Sequence, residues 1–241
     1  MTAPSPPVLD ERGPLISVVI PVHDGARYLA SAIASAVGQT YRPIEIIVVD
    51  DGSTDDSAAI ARTVPGVRVI SQTQQGPAAA RNTGIRESTG GLVAFLDSDD
   101  TWLPGKLAAQ AGYLAQHPGV GYVLCRLKNI LVEGTARPPW LNPLHLATDP
   151  VAESLCAMLI RRAVLDDVGL LDTQYPIGED TDWFMRARDR GIEAGCVDAV
   201  LVHRRVHAAN LSHRAPTLRA GIMMRIARSS IARRKSAQPA K

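Results

Sequence analysis

The feature that most constrains the fold is a repeated alternation of strand-like and helix-like segments in the first half of the chain. Short apolar, β-branched runs occupy 16–22, 44–49, 67–71 and 91–96, and a helical spacing of apolar residues follows each of them. Strands that alternate with helices predict a mainly parallel sheet with helices on both faces. The expected fold class is therefore α/β, as a single three-layer α/β/α domain around a mainly parallel, mixed sheet.

The second half is less regular. Residues 120–133 read as one long strand or two, and 134–150 carry four prolines, which predicts an irregular loop. The remaining expected elements are an apolar segment at 156–160, a short helix at 164–168, a helix from about Asp180 and a last strand at 199–203.

Changes in composition suggest the domain limits. Residues 1–14 are rich in proline and predict a disordered leader, 15–213 form the domain, and 214–241 form a basic tail. The regular alternation ends near residue 117, so the domain divides into a regular half, 15–117, and a less regular half, 118–213.

The charge is unevenly distributed, since ten of the 26 Lys and Arg lie from residue 199 onward, where there is no Asp or Glu. The spacing of Leu218, Ile222 and Ile226 in the tail is weakly amphipathic. Such a helix contacts an anionic membrane surface, or it is solvated or packs in an oligomer and has a disordered end.

The three cysteines, Cys125, Cys156 and Cys196, are far apart and have no C-x-x-C spacing, so they indicate neither a disulfide framework nor a zinc site. We expect all three in the core and the protein in a reducing cytoplasm. No apolar run approaches the ~20 residues of a membrane-spanning helix, and the first residues lack the apolar core of a signal peptide.

The fourth apolar run stops abruptly on Asp97, Asp99 and Asp100, in GLVAFLDSDDTW. Three neighbouring carboxylates repel each other unless they share a cation, and hard carboxylate oxygens suit Mg²⁺ or Mn²⁺ held together with phosphates. The alternative is an acidic turn in which Asp100 caps the next helix.

Other polar pairs follow the ends of the earlier segments: His23 with Asp24, Asp50 with Asp51, and Arg81 with Asn82. In open α/β sheets, ligands bind beyond the carboxyl ends of the strands, where these groups would converge. Asp51 is suited to accept a hydrogen bond from a base or ribose, and Arg81 to face a phosphate. The sequence therefore predicts a nucleoside-diphosphate site.

At this point the chain resembles the inverting family 2 glycosyltransferases of the GT-A fold, over roughly residues 15–213. The resemblance is carried, in order, by SVVIPVHDGARYL, VVDDGSTDDS, GPAAARNTGI, FLDSDD, GEDTDWFMRARDRG and RRVHAANLS.

The resemblance implies that 15–117 is a nucleotide-binding half and 118–213 an acceptor half. It also implies roles for individual residues. Asp180 would be the catalytic base and Glu179 would help to orient the site or acceptor. Asp99 would bind Mg²⁺ or Mn²⁺, with Asp97 on the ribose or the metal and His207 on the metal or diphosphate. The implied substrate-binding residues are Pro21, His23, Asp24, Asp51, Arg81, Asp97 and Trp183. His203 is expected to be structural.

Two departures from the family pattern refine this expectation. His23 and Asp24 stand where many members have an aromatic residue followed by Asn, and there is no Q-x-x-R-W after the E-D segment. The second departure implies transfer of a single sugar rather than processive synthesis. The expected partners are a nucleotide-sugar donor, with UDP as the carrier and GDP or dTDP left open, an unknown hydroxyl acceptor, an anionic membrane surface at the tail and a second copy in a homodimer, but no nucleic acid.

Two other functions fit parts of the sequence. LDSDDT resembles the D-x-D-x-T motif of haloacid dehalogenase-type phosphatases, with Asp97 and Asp99 as its acidic residues, but that motif normally closes the first strand. A non-catalytic nucleotide-binding module would keep Asp51 and Arg81 without a use for Asp180. A nicotinamide-binding domain is disfavoured, because no G-x-G-x-x-G follows the first strand.

Overall fold

The computed structural model describes residues 13–138, 141–151, 153–211 and 216–237. Nearly all of the predicted leader, 1–14, and the predicted domain limit at 213 lie outside the described residues. The described part contains eight strands: β1 Ile16–Val22, β2 Ile44–Asp51, β3 Val67–Gln72, β4 Leu92–Phe95, β5 Thr101–Trp102, β6 Tyr122–Leu131, β7 Leu159–Arg161 and β8 Ala194–Val206. It contains eight α-helices: α1 Ala26–Val37, α2 Ser57–Arg62, α3 Pro77–Glu87, α4 Lys106–Gln116, α5 Leu144–Ala147, α6 Arg162–Val168, α7 Glu179–Asp189 and α8 Pro216–Ala237.

All eight strands join one sheet in the order β3-β2-β1-β4-β7-β6-β8-β5. The strands of the first half, β1 to β4, pair in parallel. The second half is mixed, because β7 is antiparallel to β4 and β6, and β5 is antiparallel to β8, whereas β6 and β8 are parallel. The predicted mainly parallel, mixed sheet is confirmed.

Alternate residues of β1 face two different helical layers. Ile16, Val18 and Ile20 pack in a core with α1, α2 and α4, while Val19 packs in a second core with α3, α6 and α7. Because side chains alternate between the two faces of a strand, a run that is apolar throughout must be covered on both sides. The three-layer α/β/α arrangement follows from this and is as predicted.

Helix α3 lies unusually close to the sheet. A Cβ at Gly84 would stand 2.2 Å from Val19 Cγ1, so only glycine allows this approach. Arg81 lies one turn before Gly84 on the same helix, and the close packing therefore holds Arg81 over the carboxyl edge of the sheet.

The turn after β2 differs from the prediction, because no capping box forms between Ser53 and Asp56. The Ser53 hydroxyl instead accepts a hydrogen bond from the Asp24 amide, and the Asp24 carboxylate accepts one from the Thr54 amide. The turns after β1 and β2 are thereby tied to each other, and α2 begins only at Ser57.

Several predicted limits also change. Residues 122–131 form one strand, the predicted irregular loop contains the single-turn helix α5, and β8 extends well beyond 199–203. Cys125 and Cys156 are buried as predicted, but Cys196 is exposed. The expectation that Cys196 lies in the core was wrong, because Cys196 occupies an exposed position on β8.

The basic tail forms α8, which packs on the domain. Ile222 and Ile226, two residues of the predicted apolar face, are buried against Tyr175 of the same chain. The third residue of that predicted face, Leu218, lies outside the described side chains. No helix in the described ranges has both the length and the hydrophobicity needed to span a bilayer.

Candidate functional site

Asp51, at the end of β2, organises the segment between β3 and α3. Its buried carboxylate accepts hydrogen bonds from the Gln72 side chain at 2.7 Å and from the amides of Gln75 at 2.9 Å and Gly76 at 2.7 Å. Three donors satisfy most of the capacity of one carboxylate. Asp51 therefore fixes the backbone that leads into α3, and its predicted contact with the donor's base stays a prediction.

His23 and Asp24 form the opposite rim of this turn. His23 Nδ1 lies 2.9 Å from the Asp51 carbonyl oxygen, and its Nε2 lies 2.9 Å from the Gln74 side-chain nitrogen. Asp24 adopts a φ of +48°, and both side chains are partly exposed, so they border the predicted donor site. Pro21 is buried within β1, beyond the last residue that pairs with β4.

Arg81 links the two halves of the site. Its Nη2 donates to Asp97 Oδ1 and its Nη1 to Glu179 Oε1, both at 2.6 Å, while the buried Nε has no partner within the described residues. Burial alone would lower the pKa of Arg81, but the charges of Asp97 and Glu179 outweigh it and raise the pKa above its ordinary value. Arg81 is thus a permanent cation between the acidic strand end and α7.

The three aspartates after β4 divide into two groups. Ligand atoms of Asp97, Asp100 and Cys156 all lie within 4.8 Å of one another. The predicted trio of Asp97, Asp99 and His207 does not form such a group among the described residues, and its binding of a metal stays a prediction. The aspartates lie in a tight turn after β4, in which the Asp100 amide donates to the Asp97 carbonyl oxygen.

Asp100 was predicted either to share a cation with Asp97 and Asp99 or to cap the next helix, and the second alternative is wrong because Gly105 is the N-cap of α4. Its carboxylate accepts a hydrogen bond from the Arg205 amide on β8 at 2.9 Å and is buried. Burial, and then the charges of Asp99 and Asp97, raise the pKa of Asp100 well above its ordinary value. A cation at this position would relieve that repulsion.

Asp99 belongs to a second cluster near the end of β8. Its Oδ2 lies 3.1 Å from His207 Nε2 and accepts a 2.8 Å hydrogen bond from the Asn210 side chain. The His207 ring lies 4.9 Å from the ring of Tyr28. The sequence pattern R-x-H-x-x-N already contained the signal for Asn210, since it holds this residue three positions after His207.

Glu179 and Asp180 form the start of α7. The N-cap is Gly178, with φ +80°, so Asp180 is not the N-cap residue of α7. Asp180 Oδ1 accepts a 2.6 Å hydrogen bond from the Thr181 amide and a 3.3 Å one from the Thr181 hydroxyl. Burial raises the pKa values of Glu179 and Asp180 above their ordinary range, although Arg81 opposes the shift in both.

Trp183 was predicted to bind substrate, and the structure contradicts this. Its side chain is fully buried between Tyr122 and Phe184, and its indole N–H donates to the Gly169 carbonyl oxygen. It lies one turn after Asp180 on α7, where the helix faces the core. Trp183 therefore anchors α7 and offers no surface to a ligand.

Comparison with known proteins agrees with this geometry. A sequence profile described as glycosyl transferase family 2 matches residues 17–170. Over 206 residues the chain is 28% identical to the UDP-Glc:alpha-D-GlcNAc-diphosphoundecaprenol beta-1,3-glucosyltransferase WfaP of Escherichia coli, covering 82% of this chain and 80% of WfaP.

Solved structures share the fold. The Staphylococcus aureus TarS 1–349 complex with UDP-GlcNAc superimposes with a TM-score of 0.72 at 22% identity, over 88% of this chain and 65% of that one. The mannosyltransferase PcManGT of Pyrobaculum calidifontis, in complex with GDP-Man and Mn²⁺, gives 0.70 at 22% identity, over 95% and 66%. Both are GT-A glycosyltransferases.

The chain is shorter than many of its relatives, since it spans 67% and 50% of two matched curated glycosyltransferases and 60% of another TarS 1–349 structure. The profile match nevertheless covers more than half of the chain, and none of the named relatives is a phosphatase or a non-catalytic module. Taken with the sheet order and the acidic strand end, these matches show that the chain is a GT-A enzyme and belongs to glycosyl transferase family 2.

Proposed function

We propose that the protein transfers one sugar from a UDP-sugar to an acceptor hydroxyl with inversion at the anomeric carbon, and that Asp180 is the general base. The observation that carries the proposal is the Asp97–Arg81–Glu179 bridge. It places the first turn of α7, and with it Asp180, beside the acidic end of β4. This arrangement supports a single site built from residues that lie far apart in the sequence.

In this reaction the acceptor oxygen forms a bond to the anomeric carbon as the bond to the donor diphosphate breaks. The acceptor proton passes to an oxygen of the Asp180 carboxylate, and the nucleoside diphosphate carries away the bonding electrons. A half-buried carboxylate with a raised pKa suits this role, because a general base works best when its pKa approaches the working pH. The buried Glu179 would hold Arg81 in place and is not free to take the proton.

A divalent cation fits the acidic strand end. Asp97, Asp99 and Asp100 supply hard carboxylate oxygens and His207 an imidazole nitrogen, a set that suits Mn²⁺ or Mg²⁺. Burial raises the pKa of the Cys156 thiol well above its ordinary value, so the thiol is protonated in the absence of a metal. When bound, the ion would act as a Lewis acid towards the departing diphosphate.

The choice of donor rests on the relatives. WfaP is named for UDP-Glc, and TarS has been solved with UDP-GlcNAc, which supports UDP. PcManGT has been solved with GDP-Man, so GDP is the principal competitor. The acceptor group is proposed as a hydroxyl, and the chain has no Q-x-x-R-W of processive enzymes, which supports a single addition.

The experiment is a transfer assay with Asp180→Asn. Asn keeps the shape of the side chain but cannot accept the proton, so the rate should fall by about 10² to 10⁴ while the affinity for UDP is retained. The anomeric configuration of the wild-type product, read by NMR, should be opposite to that of the donor. Transfer at the wild-type rate by Asp180→Asn with donor bound would remove Asp180 as the base.

We also propose that α8 contacts an anionic membrane, through a different face from the one predicted. Met224 and Ile231 are 59% and 55% exposed and lie seven residues apart. Two exposed cations accompany them: Arg228 lies between the two, and Lys235 follows Ile231 by one helical turn. Residues seven apart share one side of a helix, so two apolar groups and two cations face outward together. The acceptor in the name of WfaP is linked to a lipid, and a similar acceptor for this protein would lie at a membrane, which supports the proposal.

A further inference from the structure

Helix α8 is attached to the start of α7 through an apolar contact. A Cβ at Gly178 would lie 2.7 Å from Met223 Cε, and Ile222 and Ile226 pack on the same segment. Gly178 immediately precedes Glu179 and Asp180. The side chains of α8 therefore pack directly against the joint from which the candidate base projects.

The other end of α7 is attached to α8 through a buried polar group. The carboxylate of Asp189, the last residue of α7, is 4% exposed and accepts hydrogen bonds from Ser230 at 2.8 Å, Arg233 at 2.9 Å and Arg234 at 2.6 Å. Burial alone would raise the pKa of Asp189, but these hydrogen bonds outweigh it and lower the pKa below its ordinary value. We call Asp189, Ser230, Arg233 and Arg234 the α8 clasp.

The two attachments fix the orientation of α7. An 11-residue helix is about 16 Å long, so a small rotation about one end displaces the other by an ångström or more. The joint at Gly178 is a glycine at φ +80°, and its backbone resists rotation less than that of other residues. The direction of the first turn of α7 thus depends on what holds its last residue.

From this arrangement we infer that Asp189 is a positioning residue for transfer: the α8 clasp holds α7 at the angle that keeps Asp180 in the site. The inference rests on the proposed role of Asp180. Asp189 itself lies at the opposite end of the helix and touches no reacting group. A displacement of about 1 Å at a catalytic group can lower a rate by up to about a hundredfold, so a clasp of this kind can control the rate of transfer.

The test compares Asp189→Asn with Asp167→Asn. Asp167 is a matched control, because its exposed carboxylate faces Arg190 just beyond the same end of α7, at 4.0 Å. For each variant, kcat, UDP affinity, the number of UDP sites per chain and the amide exchange of residues 178–182 are measured below the unfolding temperature. Asp189→Asn should lower kcat on the order of tenfold and speed exchange at 178–182, with UDP affinity and site number unchanged. Asp167→Asn should change none of these.

A double variant tests the α8 clasp through its two arginines on α8. Arg233→Gln with Arg234→Gln should reproduce the loss in kcat, and adding Asp189→Asn should lower it little further, since all three changes break the same contact. If Asp189→Asn does not fold, Arg234→Gln gives the milder form of the test, because Arg234 is 55% exposed.

The inference is overturned if Asp189→Asn keeps the wild-type kcat, or if kcat falls only in proportion to the number of UDP sites. The second result would mean that Asp189 serves stability alone. Failure of the proposed base is a separate outcome, because it appears as transfer by Asp180→Asn at the wild-type rate, whatever Asp189→Asn does.

Discussion

Arg81 and Glu179 are joined by a 2.6 Å hydrogen bond across 98 residues of sequence, and only 9% of each side chain is exposed. Arg81 belongs to the half of the domain that carries the nucleotide signatures, and Glu179 opens the helix that carries Asp180. A buried ion pair of this kind gives little net stability by itself, but removing one partner is costly because the other charge stays buried. The pair therefore fixes the position of the two halves of the domain relative to each other in the folded state.

Arg81→Met should destabilise the protein by about 3 to 5 kcal/mol, since Glu179 loses its counter-ion. Burial raises the pKa of Glu179, and the charge of Arg81 opposes this shift. Removal of the Arg81 charge should therefore raise the pKa of Glu179 further. The folded state then binds a proton that the unfolded state does not, and the free energy of unfolding should recover as the pH falls from 7.5 to 5.5. Urea unfolding at both pH values measures this.

The control is Arg68→Met, which removes an ion pair with Glu87 whose side chains are about half exposed. It should cost less than about 1 kcal/mol at either pH. An equally small loss in Arg81→Met would mean that the Arg81–Glu179 bridge does not hold the two halves together.

Thr181→Val should move the acidic limb of the pH–rate profile upward. The Thr181 hydroxyl lowers the pKa of Asp180, against the larger effect of burial, so its removal raises that pKa. Because a base must be deprotonated to act, activity should then appear only at higher pH. Thr181→Ser keeps the hydroxyl and should leave the profile in place; identical profiles for Val and Ser would show that this limb does not report Asp180.

Lys106 should make stability rise with pH in the alkaline range. It is fully buried between Gln110 and the Trp102 ring, and burial lowers its pKa to about 8. From about pH 8 to 10.5 the unfolded chain keeps a proton that the folded chain has released, so unfolding takes up a proton and the free energy of unfolding increases. The gain should be on the order of 1 to 3 kcal/mol.

Lys106→Met isolates this effect, because Met fills a similar volume without a charge. The rise should be absent in Lys106→Met and present in Lys128→Met, whose side chain is exposed. Parallel stability profiles of wild type and Lys106→Met would contradict the assignment of the rise to Lys106.

Asp99→Asn and Asp100→Asn should both weaken UDP binding in the presence of Mn²⁺, by about tenfold or more, if both carboxylates serve the ion. Calorimetry with UDP, with Mn²⁺ or with EDTA, distinguishes their roles. Asp100→Asn should in addition raise the unfolding temperature without metal, because it removes a buried, repelled carboxylate. UDP affinity that EDTA leaves unchanged would exclude a metal role for this strand end.

Met224→Ser with Ile231→Ser should abolish binding to liposomes that contain anionic lipid. Both side chains are more than half exposed, so the fold should tolerate the changes. The control is Leu144→Ser, since Leu144 is 58% exposed but lies on α5. Equal flotation of the two variants would remove α8 as a membrane contact.

Much of the fold of residues 15–117 could be predicted from sequence, because its signals are local. Apolar runs and turn residues predicted β1 to β4 within a few residues, and the carboxyl ends of parallel strands necessarily share one edge of the sheet. Arg81 was expected near the nucleotide on the same grounds.

What sequence reasoning missed depends on contacts between distant segments. The separation of Asp100 from Asp99 depends on hydrogen bonds to Arg205 and Asn210, more than 100 residues away. Trp183 was misassigned because an acidic helix start gives no indication of which side of the helix faces the core. The buried face of α8 likewise depends on Tyr175 and Gly178, and no pattern within the tail identifies that partner.

The carboxylate of Asp51, with most of its hydrogen-bonding capacity satisfied, has a consequence for how a nucleotide would bind. Its three hydrogen bonds order the segment between Gln72 and Gly76 without any ligand, so the entropy of closing that loop is lost during folding rather than on binding. A nucleotide would then bind to a segment that is already ordered, with no slow rearrangement before or after the encounter. The rate of binding would increase linearly with nucleotide concentration, without the plateau that a slow rearrangement imposes, and differences in affinity among nucleotides would arise in how fast each one leaves.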